Sequence, residues 1–284
     1  MAAGGKVHAV RWIPVSIALL LLMIIAVALG PSLTPFDAYN TYWDGYSKAA
    51  SICLRPTYSL PSNLTGVSSI FIIPETNISG SLTTELLNYV ASGGRLVVLV
   101  GNETATNQLL RELGIGSRFM SAVIEDSVFN AINERFPLAF VLNNPVIRTN
   151  ATVIALDNAV AIKVDDLGAV VIAETSRFST ANNTTGPFPV VVAIPIGRGY
   201  VVLVSSPGAF MNSMIDYADN AAFLMGLCGN GTALFLENSL PSNPQLIIRA
   251  WLLTAYGYAS TYPVNYVIIV IPIIIAAVVL LIKR

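Results

Sequence analysis

The stretch 93–103 constrains the fold more than any other part of the sequence. Five consecutive apolar residues, 96–100, lie between two segments with helical patterns. A near-continuous apolar run of this length is typical of a parallel strand that is covered on both faces. The turn that leaves this strand carries Gly101, Asn102 and Glu103, whereas many α/β enzymes place a Ser or Cys nucleophile there.

Strand and helix patterns alternate around this stretch. An apolar run at Ser69–Ile73 predicts a buried strand, and Ser81–Ser92 has the apolar spacing of an amphipathic helix. The central strand is predicted over Arg95–Val100, and a further helix over Thr104–Leu113. A strand–helix–strand–helix order of this kind requires a parallel sheet with right-handed crossovers.

The second half of the chain changes to strand patterns, which predict an antiparallel extension of the sheet. Gly197-Arg198-Gly199 indicates a hairpin turn, Met214–Leu227 a long helix, and Thr232–Glu237 a final strand. Between the two halves, Ser121–Ile124 fits a short strand, and Asp126–Phe136 fits either a short helix or an irregular lid. The apolar runs of the extension are Ala159–Val164, Ala169–Thr175, Val190–Ile196 and Tyr200–Ser205.

Two uncharged apolar segments, 13–30 and 266–282, give the chain its unusual composition of 54% hydrophobic and 11% charged residues. Each is long enough to cross a bilayer as a helix. Lys6 and Arg11 precede the first segment, and two basic residues end the chain, so both termini are predicted to be cytoplasmic. Ala26-Val27-Ala28 resembles a signal-peptidase site, which leaves a cleaved signal peptide as an alternative to an uncleaved anchor.

We therefore predict an α/β domain with a mostly parallel sheet flanked by helices and an antiparallel extension, placed between two transmembrane helices. The segment before the second helix is expected either to lie on the membrane surface or to pack on the sheet. The predicted parts are a cytoplasmic tail (1–12), a transmembrane helix (13–30), an extracytoplasmic domain (31–243), a juxtamembrane segment (244–265), a transmembrane helix (266–282) and a cytoplasmic end (283–284).

Two further features agree with an exported domain. Cys53 and Cys228 are the only cysteines, and in an oxidising compartment they are expected to form one disulfide, the alternative being two buried thiols. Seven Asn-x-Ser/Thr sequons lie between the apolar segments, more than composition alone suggests, and they predict glycosylation. The sequon residues are Asn63, Asn77, Asn102, Asn150, Asn182, Asn183 and Asn230.

The available side chains exclude several common kinds of chemistry. The one histidine, His8, lies in the predicted cytoplasmic tail, so the exported domain has no residue for a Ser–His–Asp or Cys–His site or for His-ligated zinc. Neither of the usual Gly-rich phosphate-binding motifs occurs, and no cofactor is expected. Between the apolar segments, eleven basic residues stand against sixteen acidic ones, which makes nucleic acid an unlikely partner.

Polar residues follow several of the predicted parallel strands, and the carboxyl ends of such strands share one edge of a sheet. This rim is expected to do one of three things. It could hold Ca²⁺, it could place two carboxylates for glycoside cleavage, or it could simply cap helices and face water. Two sequons on the same edge would crowd a small-molecule site. The candidate ligand rim consists of Glu75, Glu103, Ser206 and Glu237.

Three stretches together resemble a membrane-anchored family known as domain of unknown function 4350, common in archaea and actinobacteria. The resemblance implies a class I glutamine-amidotransferase-like fold. Amidotransferases carry a Cys in a Gly-x-Cys-x-Gly elbow after the strand that matches Arg95–Val100, whereas this chain has Gly101-Asn102-Glu103, so no catalytic residue is carried over. The stretches are 36–45, then 71–74 with 93–98, and then 197–205 followed by 219–223.

The sequence thus favours a non-catalytic, membrane-anchored extracytoplasmic domain that binds a protein or glycan partner. By analogy with related non-catalytic domains, it would serve as an accessory subunit of a membrane complex or transporter. A carboxylate- or metal-dependent hydrolase acting on glycans is the first alternative. A structural protein of the cell envelope is the second.

Overall fold

The structure, a computed structural model, describes residues 4–263 together with 265, 266 and 270. The chain divides into two compact units. Unit 1 combines the two ends of the chain, Met1–Gly30 and Ser242–Arg284, and unit 2 is the continuous stretch Pro31–Pro241.

The described residues form six α-helices and thirteen strands. The helices are α1 (Gly4–Leu29), α2 (Ser47–Ile52), α3 (Gly80–Ala91), α4 (Glu103–Glu112), α5 (Asn220–Cys228) and α6 (Pro244–Ala259). The strands are β1 (Leu54–Thr57), β2 (Val67–Ile72), β3 (Arg95–Leu99), β4 (Arg118–Val123), β5 (Leu138–Val141), β6 (Val153–Ala155), β7 (Val160–Lys163), β8 (Val170–Thr175), β9 (Thr180–Ala181), β10 (Thr184–Thr185), β11 (Pro189–Ile196), β12 (Gly199–Val204) and β13 (Thr232–Leu236).

Unit 2 is built around a nine-stranded sheet in the order β1-β13-β2-β3-β12-β11-β8-β5-β6. The first five of these strands pair in parallel, and the last four continue the sheet with antiparallel pairings. This confirms a mixed α/β fold with a large, mostly parallel sheet flanked by helices. The predicted hairpin at 197–199 is also present, because it joins β11 to β12.

The central strand β3 is buried on both faces, as its apolar run predicts. Val97 and Leu99 pack into one core cluster with Phe235 and with residues of α2 and α5. Leu96 and Val98 face the other cluster, which contains residues of α3 and α4. The alternation of side chains along a strand therefore divides one continuous apolar run between two cores.

The helix expected over Met214–Leu227 begins later, at Asn220. Residues 207–219 instead form a short 3₁₀ turn and irregular backbone that pack around the buried side chain of Asn220. Its Nδ2 donates hydrogen bonds of 2.9 Å to the carbonyls of Ala209 and Met214. Asp219 stands at the helix N-cap without capping it, since its carboxylate binds elsewhere. The apolar spacing alone carried no sign of this buried amide.

The segment 126–136 is irregular rather than helical, which settles an alternative that the sequence left open. Asp126 is fully buried, and its Oδ1 accepts hydrogen bonds from the backbone N–H groups of Val128 and Phe129. The short strands β5 and β6 on either side of the Asn-rich loop were not predicted. Strands of three or four residues leave too brief a pattern to read.

The predicted disulfide is confirmed. Cys53 follows the end of α2, Cys228 ends α5, and their Cα atoms lie 6.4 Å apart. The bond closes a loop between positions 175 residues apart, so it ties the first helix of unit 2 to its last.

In unit 1, α1 contains residues 13–29 of the first apolar segment, and α6 packs against the end of α1 through Arg249. The Arg249 Nε donates to the Ala28 carbonyl at 2.6 Å. In the described part of the chain, no helix combines the length and the apolar character that crossing a membrane requires. The second apolar segment, 266–282, lies outside the described residues except for positions 266 and 270.

Candidate functional site

A cleft opens at the edge of the sheet where the parallel strands end. It has a volume of about 330 Å³. Its polar side chains are three carboxylates and one amide, and apolar contact comes from Phe36 and Met211 among others. We call this the edge cleft; its polar members are Glu75, Glu103, Asp157 and Asn158.

Glu75 reaches the cleft from the loop after β2. The backbone N–H of Glu75 donates to the Ser239 carbonyl at 3.0 Å, and the N–H of Ile73 donates to the Ser239 hydroxyl at 3.2 Å. These two bonds hold the end of β2 against the segment that follows β13. The side chain is half-buried, and this burial raises the pKa of the Glu75 carboxyl.

Glu103 is the first residue of α4, directly after the elbow of the central strand. Its Oε1 accepts a hydrogen bond of 2.9 Å from the Ser121 hydroxyl. Asn102 caps the helix, because its Oδ1 accepts from the Ala105 N–H at 3.2 Å. At Gly101 a Cβ atom would lie 2.8 Å from the Pro74 carbonyl oxygen, so only glycine fits this turn.

Asp157 and Asn158 come from the tight turn between β6 and β7. The hydroxyl of Ser206 accepts from the Asp157 N–H at 2.9 Å and donates to the Asp157 carbonyl at 2.8 Å. Burial raises the pKa of the Asp157 carboxyl, although the Asn158 side chain opposes this by donating to Oδ1 at 2.6 Å. Ser206 is fully buried, and its two hydrogen bonds hold the backbone of Asp157, which carries one of the cleft carboxylates.

Glu237 stands apart from the other predicted rim residues. It is 4% exposed, and its Oε1 accepts a hydrogen bond of 3.1 Å from the Ala38 N–H. It therefore ties the end of β13 to the N-terminal segment of unit 2 and is not among the residues that line the edge cleft. Of the four predicted rim residues, Glu75 and Glu103 line the cleft and Ser206 supports it.

The cleft has the chemistry of an acidic binding surface. Carboxylates accept hydrogen bonds from sugar hydroxyls, from ammonium and guanidinium groups and from backbone N–H groups. Within the described residues, no group of three or more His, Cys, Asp or Glu side chains is arranged to hold a metal ion.

All seven sequon asparagines are exposed in unit 2. Asn102 sits beside Glu103 at the cleft, and Asn77 lies two residues after Glu75. The Asn102 cap uses the side-chain oxygen, so its amide nitrogen stays available for a glycan. Glycosylation remains a prediction, and the exposure of these residues is compatible with it.

Asp157 and Asn158 line the cleft although they were not predicted as rim residues from the sequence. They lie between an apolar run at 153–156 and the recognised run at 159–164. An Asp-Asn pair between two apolar runs is a turn signal, and it could have revealed the additional strand β6. Four successive antiparallel pairings lead from β12 to β6, so β6 runs in the same direction as the core strands and its end reaches the same edge.

Comparison with known proteins assigns the chain to a family. The family model described as Domain of unknown function (DUF4350) matches residues 38–228, which is most of unit 2. The chain belongs to the DUF4350 family. The match includes Glu75, Glu103 and Asp157, so the edge cleft is part of the DUF4350 domain. No curated protein matches the chain.

Several solved structures are similar to this DUF4350 protein at low identity. The mmIFT52 N-terminal domain is 20% identical with a TM-score of 0.45, over 57% of this chain and 75% of that one. The cytoplasmic protein STM1381 from Salmonella typhimurium LT2 is 15% identical with a TM-score of 0.41, over 63% and 78%. A beta-galactosidase from Bacillus circulans sp. alkalophilus is 18% identical with a TM-score of 0.35, over 57% and 22%. At these TM-scores the likenesses carry no argument about function.

Proposed function

We propose that this DUF4350 protein is a non-catalytic binding or scaffold domain that is anchored in a membrane and displayed on its outer side. Its edge cleft would bind a protein or glycan partner, and the chain would act as an accessory subunit of a membrane complex or transporter. The finer fold assignment, a class I glutamine-amidotransferase-like domain, is part of the same proposal.

The observation that carries the proposal is that the residues of the turn after β3 have structural roles. Amidotransferases carry their nucleophile at this turn. Here Gly101 packs against the Pro74 carbonyl, and the side chain of Asn102 is engaged as the cap of α4. Both residues therefore stabilise the fold at the position where amidotransferases carry the nucleophile. This favours a binding function over a catalytic one.

The composition of the cleft supports a partner rich in hydroxyl or cationic groups. Glu75, Glu103 and Asp157 offer acceptor oxygens, while Phe36 and Met211 add apolar surface. Glycans and Lys- or Arg-bearing protein segments both present the complementary donors. A cleft of about 330 Å³ suits a side chain or a single sugar ring better than a large cofactor.

The membrane part of the proposal rests on the sequence. The uncharged segments 13–30 and 266–282 and the basic residues outside them predict a two-pass chain with both termini cytoplasmic. The disulfide and the exposed sequons are compatible with an oxidising, glycosylating compartment.

One observation favours a second candidate, a carboxylate-dependent hydrolase acting on glycans. Burial raises the pKa of both Glu75 and Asp157, and these carboxyls line the same cleft. A carboxyl with a raised pKa suits a general acid, and a second carboxylate beside it suits a base or nucleophile.

Affinity purification of the full chain from solubilised membranes tests the proposal. We expect a partner to co-purify with the parent chain and to be lost from the double variant E75Q/E103Q. The matched control is E85Q/E112Q, which changes two exposed carboxylates on α3 and α4 and should retain the partner. Recovery of this chain alone in several mild detergents would count against the proposal. Hydrolysis of a glycoside by the parent that E75Q or D157N abolishes would replace it with the second candidate.

A further inference from the structure

An exposed apolar patch lies on the surface of unit 2. Its members are bulky, and their exposed fractions are large for a protein surface: 60% for Val128, 37% for Phe129, 50% for Ile132 and 48% for Phe178. We call these four residues the apolar patch. Two of them, Phe129 and Phe178, contact each other, and apolar groups exposed together usually mark a place where a protein meets another surface.

The patch is held in place by its own contacts. The ring of Phe129 stacks on Phe178 at 6.0 Å between centroids and meets Phe140 edge-on at 5.9 Å. Buried Asp126 fixes the loop beneath, since its Oδ1 binds the N–H groups of Val128 and Phe129, and its Oδ2 accepts from the Ser176 hydroxyl. The exposed side chains are therefore presented by a structured loop.

The patch lies on the same edge of the sheet as the edge cleft. Phe178 follows the carboxyl end of β8, and Phe129 precedes β5, which runs in the opposite direction. The cleft and the patch loop are joined directly, because the backbone N–H of Asn158 donates to the Arg135 carbonyl at 3.0 Å. The guanidinium of Arg177 lies 5.0 Å from the centre of the Phe178 ring, so a positive charge borders the apolar surface.

Both ends of unit 2 also leave from this edge. At the first end, the Ser32 N–H donates to the Tyr39 carbonyl, and the N–H of the neighbouring Ala38 donates to Glu237. Glu237 directly follows the carboxyl end of β13, which lies at this edge. At the second end, Ser239 holds the Glu75 N–H at the end of β2. Ser32 lies two positions after Gly30, where the first apolar segment ends, and two residues of chain span at most about 7 Å.

We propose that the apolar patch rests in the headgroup layer of the lipid bilayer, so that the carboxyl edge of the sheet faces the membrane. This inference rests on the membrane-anchored function proposed above. Within unit 2, both chain ends lie at the β13 side of this edge, and the patch lies beside β8, five strand spacings or about 24 Å away.

The chemistry of the patch suits a lipid surface. Phenylalanine and aliphatic side chains gain free energy when they leave water, and a guanidinium beside them binds phosphate groups well. Arg177 therefore complements anionic headgroups while its aromatic neighbour enters the layer. A consequence is that a partner of the edge cleft would approach along the membrane plane or from within the bilayer.

The test uses the full chain reconstituted into vesicles of phosphatidylcholine and phosphatidylglycerol that contain a nitroxide-labelled lipid. V128C carries an environment-sensitive fluorophore. The matched control is L167C, because Leu167 is 98% exposed and precedes β8 at the opposite edge of the sheet. We expect a blue-shifted emission and several-fold stronger quenching by the nitroxide lipid at position 128 than at position 167.

The outcomes separate this inference from the function on which it rests. Equal quenching at the two positions, in a chain that resists extraction from the vesicles by alkaline carbonate, would overturn the inference alone. Release of the chain by carbonate would overturn the anchored function and the inference together. Adding F129S and F178S to V128C should abolish the strong quenching without releasing the chain; persistence of the quenching would contradict the assigned contact. A blue shift seen in native membranes but not in the vesicles would indicate a protein partner and also overturn it.

Discussion

The side chain of Asn220 pairs with the backbone of Ala155 as a neighbouring strand would. Its Oδ1 accepts from the Ala155 N–H and its Nδ2 donates to the Ala155 carbonyl, each at 2.9 Å. Next to it, the Oδ2 of Asp219 accepts from the N–H groups of Thr152 and Val153 at 2.8 and 3.2 Å. These two residues occupy the open edge of β6 and so prevent another chain from pairing there.

Replacing this amide should destabilise unit 2 strongly. Asn220 is fully buried, and N220A leaves several backbone groups without their hydrogen bonds. We expect the free energy of unfolding to fall by about 3 kcal/mol or more. Denaturant unfolding measures this, with N88A as the control, since Asn88 is exposed on α3 and its loss should change stability by about 0.5 kcal/mol or less. Similar effects of the two substitutions would contradict the assigned role.

Replacing each of the two adjacent serines after β12 with alanine should affect the free energy of unfolding differently. The Ser206 hydroxyl makes two hydrogen bonds to the backbone of Asp157. Within the described residues, the buried Ser205 hydroxyl has none. We expect S206A to lower the free energy of unfolding by about 1–3 kcal/mol and S205A to leave it unchanged or raise it. Thermal or denaturant unfolding of both variants checks this, and a larger loss from S205A would refute it.

Two substitutions at Asn102 separate its role as the cap of α4 from its predicted role as a glycosylation site. Both N102A and N102D abolish the sequon, but aspartate retains an oxygen that accepts the Ala105 N–H and favours the helix dipole. We expect N102A to cost about 1 kcal/mol of stability, and N102D to cost less. Glycopeptide mass spectrometry of the parent chain, expressed in a glycosylating host, reports on the occupancy of Asn102. Equal stability of the two variants would show that the cap contributes little.

The cleft carboxylate Glu75 should make stability depend on pH in a defined direction. Burial raises its pKa in the folded chain above the ordinary value of 4.5, so the unfolded chain loses this proton more readily. The ionised group therefore opposes folding at neutral pH, and this cost disappears as the pH falls below the unfolded value. We expect E75Q to be more stable than the parent at pH 7 and equal to it near pH 3.

Denaturant unfolding at the two pH values measures this difference. The control is E85Q, because Glu85 is exposed on α3 and its replacement should have the same small effect at both. A variant E75Q that is less stable than the parent at pH 7 would mean that the charge of Glu75 helps to hold the fold.

The parallel core was predictable because its strands are buried on both faces. Runs such as 69–73, 95–100 and 232–237 are apolar at nearly every position, and this pattern needs no partner to be recognised. The start of α5 was not predictable in the same way. It is set by the buried Asn220 amide and by the Asp219 carboxylate, which bind strands far away in the sequence. Local spacing carries no information about such contacts.

Only part of the candidate site could be predicted from the sequence, because only some of its residues directly follow parallel strands. Glu75 and Glu103 follow parallel strands directly, so the rule for strand ends placed them at one edge. Glu237 obeys the same rule but turns inward to bind the Ala38 N–H. Asp157 reaches the cleft only because the antiparallel extension reverses direction four times between β12 and β6, a topology that short strands do not reveal in a sequence.

Photo-crosslinking in native membranes tests the central claim most directly. A photoreactive residue at Thr76, exposed and next to Glu75, should give a discrete adduct with one partner, and the same residue at Leu167 should not. The adduct should weaken when E75Q and E103Q are added and persist with E85Q. If position 76 gives no adduct beyond that seen at position 167, the edge cleft is not a binding site and the account is wrong.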